Sequence, residues 1–187
     1  MPKKNNTKLK KLIKYYNLIN YNLIYDNHSI NRYKNNSILN GKKITLLKEL
    51  EKSIKNIRNC ELKKNATNLV FADGNPNSKI MIIGEGPGAN EDKEGLPFVG
   101  RAGQLLDKML FSIQLDRKNV YITNVVNYRP PENRKPTDKE IARYLPFLTR
   151  HVETINPKIL ILLGSTALNT IIGDQEVISK ARGKWIK

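Results

Sequence analysis

The sequence predicts an α/β protein, a three-layer α/β/α sandwich around a central parallel sheet. Three short apolar runs, near 79–83, 119–124 and 158–163, have the length and the β-branched content of buried strands. Helical segments separate these runs, which recur about every 40 residues. Strands that alternate with helices in this way form parallel sheets with helices on both faces.

The first 60 residues are organised differently from the rest of the chain. Residues 1–40 are rich in Asn, Lys, Tyr and Ile without a clean period, so an irregular helix and disorder are both open. Apolar residues at helical spacing then predict a helix over 44–59. We therefore divide the chain into a basic, partly helical extension, 1–60, and an α/β domain, 61–187.

Two further helices are predicted between the strands. The segment "GRAGQLLDKMLFSIQ" predicts a helix that starts near Gly100, and "TDKEIARYLPFLTRHVETI" predicts a second. Thr137 and Glu140 have the spacing of a capping box at the start of the second helix. Because ligands bind beyond the carboxyl ends of parallel strands, we expect the site at "GEGPG", "TN" and "GST".

Charge and composition limit the possible functions. The net charge is +16, and residues 1–60 hold 14 Lys or Arg against 3 Asp or Glu. Such a surplus attracts polyanions, above all nucleic acid, although base-composition drift in an AT-rich genome would also produce it. No apolar run is long enough to span a bilayer and no signal peptide is visible, so we expect a cytoplasmic protein. The single cysteine, Cys60, excludes an internal disulfide.

Gly84, Gly86 and Ala89 match the glycine fingerprint of a dinucleotide-binding loop. That fingerprint requires a helix to start at once, so that its N-terminus meets the pyrophosphate. Here prolines, further glycines and the acidic stretch 91–94 intervene, and carboxylates would repel a pyrophosphate. We therefore expect no nucleotide cofactor.

Three other side chains suggest what the loop binds. Glu85 follows the first strand, Phe98 lies on a Gly-Leu-Pro turn, and Asn124 ends the second strand. Taken singly, Phe98 could be a core residue that anchors the loop and Asn124 a cap or turn residue. Together they describe a pocket with a stacking face and an amide that donates and accepts, which suits a flat heterocycle such as a base.

The motifs "GEGPGANEDKEGLPFVGRAGQLLDKML", "YITNVVNYRPPENRKP" and "VISKARGKW" resemble those of the family-4 uracil-DNA glycosylases. The resemblance runs from about residue 60 to residue 187. It implies a uracil-DNA glycosylase-like fold, a role in base-excision repair and a substrate of uracil-containing DNA. A monomer without membrane association is expected.

Carried over to this sequence, the resemblance gives each pocket residue a role. Gly84, Glu85 and Gly86 form the loop that binds uracil and water, and Glu85 is the candidate for handling that water. Phe98 stacks on the flipped base, and Asn124 pairs with the uracil edge.

Two arginines beside the Pro130–Pro131 loop, Arg129 and Arg134, are expected to contact DNA.

The chain departs from the family at the cluster ligands. The family usually carries a [4Fe-4S] cluster on four cysteines, and here only Cys60 remains, as a vestigial position. The other three positions hold Ile57, Tyr128 and Tyr144. One thiolate cannot hold a cubane cluster, so we expect no cluster and no other cofactor.

The second departure is at the C-terminus. After "RGKW" the family continues into a last strand and a His-Pro-Ser motif, whereas this sequence ends at Lys187. The two histidines present, His28 and His151, lie in other contexts. We therefore expect a truncated glycosylase, without the last strand, that excises uracil slowly. A non-catalytic DNA-binding remnant and the product of a split or degraded gene are the alternatives.

Overall fold

The computed structural model of the chain describes residues 32–173 and 177–186. Over these residues it contains the strands β1 (Asp73–Gly74), β2 (Ile80–Gly84), β3 (Val120–Asn124) and β4 (Ile159–Leu162). The helices are α1 (Arg32–Lys55), α2 (Glu61–Asn65), α3 (Ala89–Glu94), α4 (Arg101–Ser112), α5 (Asp138–Ile155), α6 (Ser165–Ile172) and α7 (Ile178–Ala181). In this described part of the chain, no helix is long and apolar enough to cross a membrane.

The sheet has the strand order β1-β3-β2-β4. β2 pairs in parallel with both β3 and β4, which confirms the three predicted strands and their direction. β1 was not predicted, and it adds an antiparallel edge through two residue pairs with β3. A strand of two residues is too short to show an alternating pattern in the sequence.

Helices cover both faces of the sheet, as the three-layer prediction requires. On one face Ile82 and Ile122 are fully buried in a cluster with Leu106 and Leu110 of α4. Side chains alternate along a strand, so the neighbouring residues point to the opposite face; these are Met81, Ile83 and Tyr121. There they join a larger cluster with buried residues of α1 and α5, among them Leu50, Ile54, Tyr144, Leu148 and Ile155.

The first helix differs from its predicted range. It runs over Arg32–Lys55 rather than 44–59, and its Leu47, Leu50 and Ile54 are buried in the larger core cluster. The compact unit that contains the sheet begins at Ile38, so these three residues of the helix pack within that unit. The rest of the predicted extension, 1–31, lies outside the described residues.

The predicted capping box of α5 is present. The Thr137 side chain accepts from the Glu140 backbone N–H, and the Glu140 carboxylate accepts from the Thr137 N–H at 2.7 Å. These bonds satisfy two of the free N–H groups at the start of the helix. The N-terminus of α5 is thereby fixed next to the loop that leaves β3.

Candidate functional site

The carboxyl ends of β2 and β3 are joined beyond the sheet. Gly84 is in register with Asn124. The backbone N–H of Val125 donates to the Gly84 carbonyl at 2.9 Å, and that of Val126 donates to the Glu85 carbonyl at 3.2 Å. The glycine-rich loop and the segment after Asn124 therefore leave the sheet side by side.

Phe98 and Asn124 meet at Gly84. A Cβ added to Gly84 would lie 2.5 Å from Asn124 Oδ1 and 2.5 Å from Phe98 Cζ. Only glycine leaves room for both groups at this point. The lack of space for a side chain therefore explains why the first residue of "GEGPG" is glycine. The predicted stacking ring and the predicted pairing amide are thus neighbours at one strand end.

The Asn124 side chain is buried at this strand end. The residue is 3% exposed, and none of the side-chain hydrogen bonds found among the described residues involves its amide. Over the same residues, no fully buried side-chain polar atom lacks a partner. Among the described residues, its donor and acceptor are therefore uncommitted and available to a ligand.

Glu85 is held by a residue that the sequence analysis did not single out. The Thr166 hydroxyl donates to Glu85 Oε2. Thr166 lies in the first turn of α6, directly after β4, so the third expected strand end, "GST", also reaches this site. Both side chains are partly exposed. The hydroxyl binds one carboxylate oxygen, and no hydrogen bond among the described residues involves the other.

The acidic loop has a structural role, because one of its carboxylates binds the starts of two helices. A short helix, α3, does start at Ala89, directly after Gly88, and not only near Gly100 as the sequence suggested. The Glu91 carboxylate accepts from the backbone N–H groups of Gly88 (3.2 Å), Val99 (3.0 Å) and Gly100 (2.8 Å). These N–H groups lie at the starts of α3 and α4, so the Glu91 carboxylate accepts hydrogen bonds that a helix N-terminus could otherwise donate to an anionic ligand.

Asp92 fixes the other side of the same loop. Its carboxylate is buried and accepts from the backbone N–H groups of Thr67 at 2.9 Å and Asn68 at 3.0 Å. Asn127, also buried, donates from its side-chain amide to the carbonyls of Val70 and Phe71. Polar contacts thus hold residues 67–71 to α3 and to the segment that follows β3.

Arg117 holds the loop that carries Phe98, and no sequence signal indicated it. Its guanidinium donates to Asp73 at 2.7 Å, to Asp107 at 2.9 Å, to the Pro97 carbonyl at 3.0 Å and to the Phe98 carbonyl. Burial alone would lower the pKa of Arg117, but hydrogen bonding and attraction from Asp107 and Asp73 outweigh it and raise the pKa. Its partners are far apart in the sequence, so only the fold reveals the cluster.

The two arginines expected to contact DNA are engaged with protein groups. Arg134 makes two bonds to the Glu140 carboxylate, at 2.7 and 2.8 Å, and this pairing lowers the pKa of Glu140 to about 2. Arg129 donates through Nε to Asn133 at 2.7 Å. Arg134 is therefore already held in an exposed ion pair, whereas Arg129 bonds to a neutral amide, which makes Arg129 the stronger candidate of the two.

The four positions at which the family resemblance places cluster ligands lie together. Cys60, Tyr128 and Tyr144 are buried in the larger core cluster, with Ile57 packed against it. Cys60 Sγ and Tyr144 Oη are 3.4 Å apart, and burial raises the pKa of both tyrosines. Aromatic rings thus fill the space beside the single thiol. This donor set does not fit a [4Fe-4S] cluster, which requires four ligands of the thiolate type.

His151 belongs to the core rather than to the site. Its Nε2 lies 3.0 Å from the Tyr121 hydroxyl, and its ring is 4.5 Å from that of Phe71. The residue is 1% exposed, and burial lowers the pKa of its imidazole to about 3. A neutral, enclosed ring cannot contact a substrate. His28 lies outside the described residues.

Comparison with known proteins finds one matching family and several similar proteins. The model of the uracil DNA glycosylase superfamily matches residues 71–186. A type-4 uracil-DNA glycosylase of Thermotoga maritima is 45% identical over 142 residues, which are 75% of this chain and 74% of that protein. A type-4 uracil-DNA glycosylase of Archaeoglobus fulgidus is 44% identical over 142 residues, 74% of this chain and 71% of that protein.

Proposed function

This chain belongs to the type-4 uracil-DNA glycosylases of the uracil DNA glycosylase superfamily, and we propose that it removes uracil from DNA. The reaction is hydrolysis of the N-glycosidic bond of a deoxyuridine that has been flipped out of the strand. The observation that carries the proposal is the convergence of the Phe98 ring and the Asn124 amide on Gly84.

Phe98 and Asn124 recognise the base. Stacking on an aromatic ring is worth about 1–3 kcal/mol, and a good two-bond pairing contributes a similar amount. The Asn124 amide donates to uracil O4 and accepts from N3–H, whereas cytosine presents the opposite polarity at these atoms. Discrimination therefore depends on the orientation of the amide, whose Oδ1 lies at Gly84 near the Phe98 ring.

Glu85 acts on the water. In the reaction the C1′–N1 bond breaks and its electron pair leaves with uracil, while a water oxygen bonds to C1′. Glu85 orients that water and accepts its proton, and Thr166 holds the carboxylate in place. No step in this scheme uses a metal cluster, in keeping with the donor set at Cys60, Tyr128 and Tyr144.

A second candidate function is DNA binding without catalysis. It is favoured by the basic surplus of the first 60 residues, 14 Lys or Arg against 3 Asp or Glu. Binding of this type rests on phosphate contacts and does not require the pocket at Gly84.

An excision assay on the full chain separates the two candidates. The substrate is a single-stranded oligonucleotide with one deoxyuridine, because a base in a single strand is flipped at little cost. We expect release of free uracil and its loss in Asn124→Ala, with retention in Asn169→Ala, an exposed asparagine on α6. DNA binding with no uracil release by the native chain would favour the second candidate. The measured rate also tests the expectation of slow excision.

A further inference from the structure

We propose that Arg117 is a positioning residue that holds the Phe98 ring against Gly84, an inference that rests on the base-stacking role proposed for Phe98. Arg117 does not contact the pocket itself. It acts through the backbone of the residue that carries the ring.

The Phe98 backbone adopts a conformation that needs external support. Its φ is +56°, in the left-handed region that residues with side chains rarely occupy. The chain also approaches α4 closely here, since a Cβ on Gly103 would overlap the Phe98 carbonyl. The carbonyls of Pro97 and Phe98 are thereby directed to the place where the Arg117 guanidinium lies.

Two carboxylates also bind the guanidinium. Asp73 belongs to β1 and Asp107 to α4, and Arg117 bonds to both at 2.7 and 2.9 Å. The Arg117 side chain is 25% exposed, so solvent competes only weakly for its donors. A planar guanidinium presents five N–H groups in a fixed arrangement, which lets one side chain join a strand, a helix and two carbonyls of the loop. Lysine cannot reproduce this geometry.

Arg143 provides a matched control elsewhere in the fold. Its guanidinium also donates to two consecutive backbone carbonyls, those of Arg58 and Asn59, and Asn59 also has a positive φ, +51°. Arg143→Met therefore removes an arginine of the same type from a loop that does not carry Phe98.

The first readout is independent of activity. The Gly84 α-proton on the side where a Cβ would be built faces the Phe98 ring, so its NMR resonance should carry a ring-current shift, which Phe98→Leu removes. We expect Arg117→Met to lose most of this shift, Arg117→Lys and Asp107→Asn to lose part of it, and Arg143→Met to retain it. Retention of the full shift in folded Arg117→Met would overturn the proposal. If that variant does not fold, Asp107→Asn decides by the same criterion.

The second readout is a double-mutant cycle on uracil excision from single-stranded DNA. Arg117→Met should lower kcat/KM about tenfold or more, and the double variant Phe98→Leu/Arg117→Met should be no slower than Phe98→Leu alone. Losses that multiply would mean that Arg117 acts by another route and would contradict the proposal. If the native chain releases no uracil, the proposed function fails, whereas the ring-current result still decides the role of Arg117.

Discussion

At the scale of single residues, Gly84 limits what the site can tolerate. The ring of Phe98 and the amide of Asn124 occupy the two sides of the space that a side chain would need. Gly86, two residues later, is less restricted, because a Cβ there would meet only the Val126 methyl group at 2.8 Å and Pro130 at 3.8 Å. The two glycines of one loop thus differ in what substitution would displace.

Gly84→Ala should therefore be far more damaging than Gly86→Ala. Overpacking against a fixed amide and ring costs about 1–3 kcal/mol in the free energy of unfolding and moves both recognition groups. We expect loss of uracil excision from Gly84→Ala and a milder effect from Gly86→Ala, where the buried Val126 side chain and no recognition group must shift. Urea unfolding and the excision assay measure the two effects. Equal losses in the two variants would contradict the geometry of Gly84.

His151 should make the stability of the protein depend on pH. Its folded pKa, about 3, lies below its ordinary value of 6.5. Well above pH 6.5 the imidazole is neutral in both the folded and the unfolded state, so it does not make the free energy of unfolding depend on pH. As the pH falls below 6.5 the unfolded chain takes up a proton that the folded chain does not, so stability is lost, at up to about 1.4 kcal/mol per pH unit.

The measurement is the free energy of unfolding between pH 6.5 and 5, above the range in which most carboxylates titrate. His151→Gln should flatten this dependence. Tyr121→Phe, which removes the hydroxyl 3.0 Å from Nε2 but keeps the ring buried, should retain it. An equally steep dependence in His151→Gln would assign the effect to another group.

At the scale of elements, the sequence predicted what is periodic and missed what depends on distant partners. The strands β2, β3 and β4 are continuous apolar runs, and they lie within a residue or two of the predicted ranges. The early start of α1 escaped prediction because residues 32–43 have no apolar stripe. The glycine-rich loop suggested a site, but nothing local showed that Glu91 joins two helix N-termini or that Arg117 reaches Phe98.

Glu91→Gln should destabilise the loop and both helix starts. The variant keeps the shape of the side chain but removes the charge that faces three backbone N–H groups. Hydrogen bonds to charged groups contribute about 1–3 kcal/mol, and we expect a loss of this size in the free energy of unfolding. Glu94→Gln, an exposed residue at the end of α3, is the matched control and should stay within about 0.5 kcal/mol of the native protein. A similar loss in both variants would show that general loop charge, not the bonds of Glu91, matters.

At the scale of the whole molecule, packed side chains occupy the core around Cys60, where the family resemblance places the cluster ligands. Tyr144 is fully buried and Tyr128 nearly so, and both occupy positions of family cluster ligands. Among the residues that the structure describes, no group of three or more His, Cys, Asp or Glu side chains could hold a metal ion. Two of the ligand positions thus hold buried aromatic rings that pack in the core.

The protein purified without oxygen should accordingly contain no stoichiometric iron or acid-labile sulfide and should remain folded. The triple variant Ile57→Cys/Tyr128→Cys/Tyr144→Cys restores four thiols at neighbouring positions and should take up iron on reconstitution. Iron and sulfide in the native protein at cluster stoichiometry would contradict the repacked core.

Binding to DNA is the property that depends on the charge of the whole chain. Residues 1–60 carry a net charge of +11, from 14 basic and 3 acidic residues, whereas Arg134 in the domain is paired with Glu140. We expect weak, sequence-independent binding whose affinity falls linearly with salt on logarithmic axes, because phosphate contacts release counterions.

Replacing the six lysines between positions 3 and 14 by glutamine should make this slope shallower on duplex DNA, by up to about 5 if every lysine contacts a phosphate. Arg129→Gln should reduce it by about 1 at most. Titrations at several salt concentrations measure the slope in the full-length chain, with folding checked by urea unfolding. An unchanged slope in the six-lysine variant would assign the N-terminal charge to base-composition drift, and the site at Gly84 would then have to bind DNA through the domain alone.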